Sequence, residues 1–472
     1  MKRWSAVVIA GLLAVAVAQQ GGNPPAQKAD GQKAPTQKAG GPPAGGGSGV
    51  GQTLNLDWPA APVDTVLGRP TGTGVTVSVR TAQDADVTLV IKGGPADLRL
   101  PPQTLTAGQP QHLPISGLNP DTAYTLQVLT KTGSDVDFTV RQTRTFHTAR
   151  PAGQAFTFVM QADSHMDANS DLNVYAQTLR NEQAAQPDFV VDLGDTFMTD
   201  KYTPFQAAEK QYLTQRTMLG TLAPSPLFLT LGNHDGEGLV AGGKAGQQAM
   251  NDWSNAMRLK YFPNPVADGF YSVPKGASAT PVTNQGAYAW TWGDATFIVL
   301  DAYTDSARSG DNNWNATLEG STSRWKFVFV HQLIGGQGKD GRGGAEAAPF
   351  FEWGGKNTDG SAGFAQNRPG WAMPVHNLLV QHHVTAVFHG HDHLYVKQEL
   401  DGVVYQEVPQ PSNARAGNTN SAQEYGYASG TLLGGPGHLR VMVTPQDVKV
   451  EYVRTALQDS ANAQVGDTYT VK

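Results

Sequence analysis

The sequence predicts an α/β fold, a two-sheet α-β-β-α sandwich flanked by helices, preceded by an all-β sandwich. Three observations carry this expectation. Residues 51–148 hold short segments of alternating apolar and polar residues. After Arg150-Pro151 the strands become near-continuously apolar and are interleaved with helical periodicity. Each of those later apolar runs stops on polar or metal-binding side chains.

Taken in order, the chain opens with Lys2 and Arg3 before an apolar run, Ala6 to Ala18, that ends in Ala16-Val17-Ala18. That layout reads as a secretory signal peptide over residues 1–18, too short for a membrane span of roughly 20 apolar residues. Secreted or periplasmic localisation follows as an expectation. The absence of cysteine excludes disulfides and a lipid-modified N-terminal cysteine. Residues 19–50 repeat Gln-Lys-Ala among Gly, Pro and Ala, cannot bury a core, and read as a disordered linker with an end-to-end distance of roughly 30 Å. The formal net charge of −6, more negative still without Lys2 and Arg3, speaks against a standing nucleic-acid partner. The sequence leaves oligomeric state open.

Residues 51–150 form the first folded unit. "GVTVSVRT", "DVTLVIKG", "AYTLQVLTKT" and "DFTVRQTRTFHT" alternate with period two and are separated by turn residues, the pattern of a β-sandwich. Within it, "GLNPDTAYTLQVL" resembles the fibronectin type III signature, with Leu118, Pro120 and Tyr124 in the Leu-x-Pro turn and tyrosine-corner positions. The expected role is structural or positioning.

Residues 151–472 form the second unit. "AFTFVMQADSH", "LNVYAQTLRNEQAAQ" and "PDFVVDLGD" read as β-α-β. Similar buried strands recur at "SPLFLTLGNHD", "DATFIVLDAYT", "RWKFVFVHQL" and "HVTAVFHGHDH", and the segments from Leu394 onward complete a second sheet. Polar residues at the carboxyl ends of the strands place the chemistry there.

The strand ends give Asp163-Ser164-His165, Gly194-Asp195, Gly232-Asn233-His234-Asp235, His331 and Gly390-His391-Asp392-His393. Imidazole, carboxylate and amide oxygen without thiolate suit Mn, Zn or Fe better than Ca. Two divalent cations roughly 3.5–4 Å apart would generate a nucleophile from water and clamp phosphoryl oxygens. A carboxylate must lie between them, and Asp195 is the candidate bridge.

In order and spacing these blocks resemble the calcineurin-like metallophosphoesterase superfamily, over roughly residues 155–455. The resemblance implies one metal held by Asp163, His165, Asp195 and His393, and a second by Asp195, Asn233, His331 and His391. It leaves His234 off the metals as general acid or charge stabiliser, acting on a small phosphate-ester substrate, mono- or diester. Asp235 and Asp392 would then orient imidazoles through their second ring nitrogen. His389, at strand spacing, reads instead as a buried hydrogen-bonded core histidine. The competing reading is a secreted binding or adhesion module with a degenerate phosphoesterase domain, against which the intact ligand set argues.

With its N-terminal sandwich the layout looks like that of purple acid phosphatases, with one departure. Where those enzymes carry an iron-binding tyrosine after Gly-Asp-x-x, this chain has Met198. Loss of the phenolate predicts a colourless, divalent-metal enzyme. Two long inserts, residues 236–289 and 335–370, are expected to line the substrate pocket. In the second, Lys339, Arg342 and Arg368 are candidates for phosphate oxygens, and Trp353 or Phe364 for stacking.

Overall fold

The computed structural model describes residues 58–133, 135–167, 170–223, 225–237, 247–272, 286–302, 314–333, 341–413 and 419–472. The expected signal peptide and linker, and Lys339, lie outside them.

The first strands are β1 (Val63–Gly68), β2 (Val75–Thr81), β3 (Ala85–Lys92), β4 (Leu98–Arg99), β5 (Gln103–Leu105), β6 (Gln111–Ile115), β7 (Ala123–Lys131) and β8 (Thr139–His147). One sheet runs β1-β2-β6 and the other β4-β3-β7-β8, with β5 on β3. Alternation does the work the sequence suggested. Val75, Val77 and Val79 of β2 face Leu89, Leu126 and Val128 of the opposite sheet in one buried core. The Tyr124 hydroxyl accepts the Asn119 N–H at 2.8 Å, closing the tyrosine corner.

The following strands are β9 (Phe156–Gln161), β10 (Phe189–Asp192), β11 (Leu227–Leu229), β12 (Tyr288–Trp292), β13 (Ala295–Val299), β14 (Trp325–Phe329) and β15 (Ala386–His389). The chain ends with β16 (Tyr395–Leu400), β17 (Val403–Glu407), β18 (Thr431–Leu433), β19 (Gly437–Val443), β20 (Val448–Arg454) and β21 (Val465–Val471). They build a sheet of order β11-β10-β9-β19-β20-β21 and another of order β12-β13-β14-β15-β17-β16-β18. Strands β9, β10 and β11 are mutually parallel, as are β13, β14, β15 and β17. The segments after Leu394 do not all complete one sheet as expected. Strands β16 to β18 join the second sheet, whereas β19 returns to pair antiparallel with β9 in the first.

An aromatic core fills the space between the sheets. Phe158, Phe189 and Phe228 of the first meet Trp290, Phe297, Phe327, Phe329 and Phe388 of the second, all buried. Phe228 stacks on Trp290 at 4.2 Å across the layers. Strands this apolar on one face still need cover on the other. Outside the first sheet, Val159, Val190 and Leu229 are covered by Tyr175 and Leu179 of helix α1 (Leu172–Ala184) and by Met218 and Leu219 of α2 (Glu209–Leu222). Asp171 caps α1, accepting the N–H groups of Asn173 and Val174 at 2.8 and 3.3 Å. Outside the second sheet, Ile298, Val328 and Val387 pack on Leu318, Leu378 and Leu379 of short helices. The layer order is the expected α-β-β-α. No helix among the described residues is long and apolar enough to cross a membrane.

The two sandwiches are joined through α2. Arg216, fully buried on that helix, donates to Asp64 Oδ1 of β1 at 2.7 Å, to Ser78 Oγ and O at 2.9 and 3.0 Å, and to the Tyr261 carbonyl. Arg80 takes the other Asp64 oxygen at 2.8 Å. Every nitrogen of the buried guanidinium therefore has an acceptor, which is the condition for burying it. Replacing Asp64 with Ala should destabilise the protein by about 3–5 kcal/mol, because it leaves Arg216 charged and unpaired in the interior. Asp64→Asn, which keeps an acceptor, should lose less. Denaturant unfolding of the two variants checks this; an Asp64→Ala midpoint equal to wild type would show that the ion pair does not hold the interface.

Candidate metal centre

The parallel strands deliver their ends to one edge. After β9 come Asp163 and His165, after β10 Asp195, after β11 Asn233 and His234, after β14 His331, and after β15 His391 and His393. An extended strand would carry such side chains past one another. Instead the backbone turns left-handed at Asp163 (φ 60°), His165 (φ 50°), Asp195 (φ 54°), His391 (φ 83°) and His393 (φ 61°). Left-handed backbone in residues with a Cβ costs roughly 1–3 kcal/mol each and clusters at functional sites. The close approach of the turns also requires Gly232, where an added Cβ would fall 2.2 Å from Asp195 Oδ1.

The side chains converge in two groups. Asp163, His165 and His393 form one and Asp195, His331 and His391 the other, each with its potential ligand atoms within 4.8 Å of one another. Asn233 Oδ1 joins the second, 3.1 Å from His331 Nε2. Asp195 Oδ2 lies between them, 3.6 Å from His165 Nε2 and 3.3 Å from His331 Nε2. All seven residues named from the sequence as metal ligands thus meet at one place. They suit a metal for a reason internal to the structure: Asp163 Oδ1 and His165 Nε2 are buried, face the centre and have no hydrogen-bond partner among the described residues. A buried polar atom left so is unfavourable unless something binds it.

The charges point the same way. Burial opposes the negative charge of Asp163, yet His393, His165 and His331 hold its carboxyl well below the usual range. Asp195 is likewise held down, against burial, by His331 and His234. His391 is pushed by burial down to about 3, so its ring is neutral and able to ligate. For His331 burial pulls down, but Asp195 and Asp163 raise it to about 9.

The remaining residues sort by what they touch. His234 stands beside the groups, with its N–H on Asp195 Oδ1 at 2.8 Å and Nε2 3.9 Å from Asp195 Oδ2. Its Nδ1 contacts both oxygens of Asp200 at 3.0 Å. Asp235 does not orient a ring, contrary to expectation. Its carboxylate accepts the N–H groups of Asp195, Thr196, Phe197 and Gly232 at 2.7–3.0 Å and so fixes the Asp195 turn. Asp392 does not either: it binds Arg342 at 2.9 Å, the Gly343 N–H and the Tyr427 hydroxyl. The rings are oriented instead by Asp200, by Asp167 (3.5 Å from His165 Nδ1) and by the Leu193 carbonyl (2.9 Å from His331 Nδ1). These three escaped the sequence reading because they fall outside every motif; Asp200, a few residues past the Gly-Asp block, had proximity as its one signal.

His389 is buried with Nδ1 2.5 Å from Glu407 Oε2, as a core histidine should be. Of the insert residues, Arg342 reaches the centre. Arg368 pairs with Glu352 instead, and Trp353 is buried with its N–H on the Tyr405 hydroxyl, so it offers no stacking face.

A family model for calcineurin-like phosphoesterases matches residues 156–395. The chain belongs to that family. The phosphoesterase is similar in fold to the solved structure of PhoD, at 13% identity and TM-score 0.59, covering 86% of this chain and 89% of that one. It is similar too to purple acid phosphatase PPD1 from yellow lupin (Lupinus luteus) seeds, at 14% identity and TM-score 0.60, covering 87% and 74%. No curated protein sequence matches the chain. The enzyme is a metal-dependent phosphoesterase, which sets aside the reading as a non-catalytic module.

Because His331 and His165 attract protons in the metal-free protein, metal binding must displace them. Below about pH 9, the raised value of His331, binding should release protons and the apparent affinity should strengthen as pH rises. Calorimetric titration in two buffers of different ionisation enthalpy measures this. An equal heat in both at pH 7 would contradict the charge balance described.

Proposed function

We propose that this protein is a secreted phosphoesterase that holds two divalent metal ions and hydrolyses small phosphate esters. The observation that carries the reading is the position of Asp195 Oδ2 between the two ligand groups. One group, Asp163, His165, Asp195 and His393, would hold the first ion. Asp195, Asn233, His331 and His391 would hold the second. Bound there, the ions supply Lewis acidity and a nucleophile from water at neutral pH.

The chain's own residues do the rest. Asp195 would lie between the two cations and offset part of their charge, and Asp235 keeps it in place through the backbone. His234, half-exposed at the rim, is placed to donate a proton or positive charge to the departing alkoxide. Asp200 contacts its far nitrogen and fixes the orientation of the ring. The export reading rests on the N-terminal sequence and the absence of cysteine.

The metals are read as divalent because Met198 stands three residues after Asp195, where a phenolate ligand would be needed to favour ferric iron. Phe197 is buried and stacks on Tyr212 at 4.0 Å, and Met198 is buried as well. Metal analysis of purified protein should give two divalent ions per chain and no strong visible band. Asp195→Ala should lower content and activity together. One ion per chain, or full turnover in the variant, would defeat the dinuclear reading.

His234→Ala should keep metal stoichiometry and lose ~10²–10⁴ in kcat on esters with poor leaving groups, with a smaller loss on an activated aryl ester. Asp200→Asn, which removes the anion beside His234 Nδ1, should fall between the variant and wild type in kcat on poor leaving groups. Equal losses on both ester types would count against the leaving-group role.

A further inference from the structure

The stretch Gly341-Arg342-Gly343 places a guanidinium beside the metal centre. Gly341 and Gly343 are both left-handed, at φ 78° and 103°. The chain therefore bends on either side of Arg342 and turns its side chain toward the loop that carries His391 and His393. There Nη1 donates to the His391 carbonyl at 2.7 Å and to Asp392 Oδ1 at 2.9 Å. Asp392 is buried, and its other oxygen accepts the Gly343 N–H at 2.9 Å and the Tyr427 hydroxyl at 2.8 Å. The Tyr425 ring lies against the guanidinium, 4.4 Å from it.

Arg342 uses its fork differently from the arginines of two structural ion pairs, Arg258 and Arg150. Arg258 meets Glu237 with two parallel bonds, 2.6 and 2.9 Å, and Arg150 meets Asp188 the same way. Both are complete bidentate pairs. Arg342 is held by one nitrogen and one ring face, while Nε and Nη2 have no partner among the described residues and the side chain is 23% exposed. A charge fixed this firmly with its donor edge open is suited to an anionic ligand rather than to holding the fold. Asp163, a candidate metal ligand, lies close enough for its field to act on the guanidinium.

We propose that Arg342 binds a phosphoryl oxygen of the substrate and makes the enzyme select phosphate monoesters over diesters. This rests on the phosphoesterase reading. A monoester near neutral pH carries close to two negative charges, its second pKa being about 6, and three non-bridging oxygens. A diester carries one charge and two such oxygens. The additional oxygen and charge are what a further fixed cation beside the metal centre can use. A second ester carbon placed there would leave charged N–H groups dehydrated and unpaired, the arrangement that discriminates most strongly against a wrong substrate.

The test uses metal-loaded full-length protein, with wild type, Arg342→Gln and Arg342→Lys compared. Calorimetric binding of inorganic phosphate and of dimethyl phosphate gives a readout independent of turnover. Phosphate affinity should fall roughly 10- to 100-fold in Arg342→Gln, as for a lost charge-assisted hydrogen bond, and dimethyl phosphate affinity far less. With p-nitrophenyl phosphate and bis(p-nitrophenyl) phosphate, kcat/KM should fall more for the monoester, chiefly through KM. Arg342→Lys keeps a charge for Asp392 without the fork, and should recover part of the affinity with full metal content. Equal loss on both ester types, unchanged phosphate affinity in Arg342→Gln, or wild-type preference for the diester would overturn the role of Arg342. Wild-type protein that binds metal yet hydrolyses neither ester would instead overturn the phosphoesterase reading, and this inference with it.

Discussion

Two carboxylates buried at the ends of neighbouring strands, Asp163 and Asp195, set the terms for everything around them. Neither is tolerable in an interior unless cations or donors surround it. The structure answers with imidazoles at 3.3–3.9 Å from their oxygens, contributed by three different loops. It also answers with backbone: the His391 N–H on Asp163 and the His234 N–H on Asp195, both at 2.8 Å. The left-handed turns follow from the same demand. Five donors cannot reach two carboxylates from extended strands, so local strain is accepted in return for convergence. That strain persists because the aromatic core between the sheets fixes the strand ends before the turns begin.

Helix α2 links this centre to the N-terminal sandwich. On one side Arg216 is locked to Asp64 and Ser78. On the other, Gln211 donates to the His165 and Thr196 carbonyls, and Gln215 to Ser164 Oγ and the Thr196 carbonyl. Residues one position apart on the helix therefore grip the first sandwich and the loops that carry Asp163, His165 and Asp195. The sandwich acts as a wall of the enzyme rather than as a tethered accessory. The side chains that grip the loops are neutral amides, which steady carbonyls without adding charge near the carboxylates.

The chemistry around the centre is spread more widely than motifs suggest. Asp235 and Asp392 adjoin candidate active histidines in sequence, yet neither touches a ring. In a tight turn successive side chains point apart, so an aspartate next to a histidine is poorly placed to orient it. Asp235 serves the backbone of the neighbouring turn, and Asp392 fixes Arg342. The imidazoles find partners where the packing brings them: Asp200 from the loop after β10, the Leu193 carbonyl from the end of that strand, and Asp167 just after the first turn.

The sequence by itself determined the layer order, the strands that end at the site and the seven residues that gather there. Each of these is a local property: an apolar run must be buried, and its last polar residues must leave the core at the strand end. Which sheet the C-terminal strands join was decided only by the tertiary structure, because an apolar strand can pair with either sheet and the choice depends on which partner strand it meets. The same holds for the docking of Asp64 on Arg216, the orienting partners of the rings and the half-used fork of Arg342. Apart from Asp167 beside His165, these are pairings between residues tens to hundreds of positions apart, and a single sequence carries no distance between them. Residue type states what a side chain can bind; only the packed sheets and α2 state what it meets.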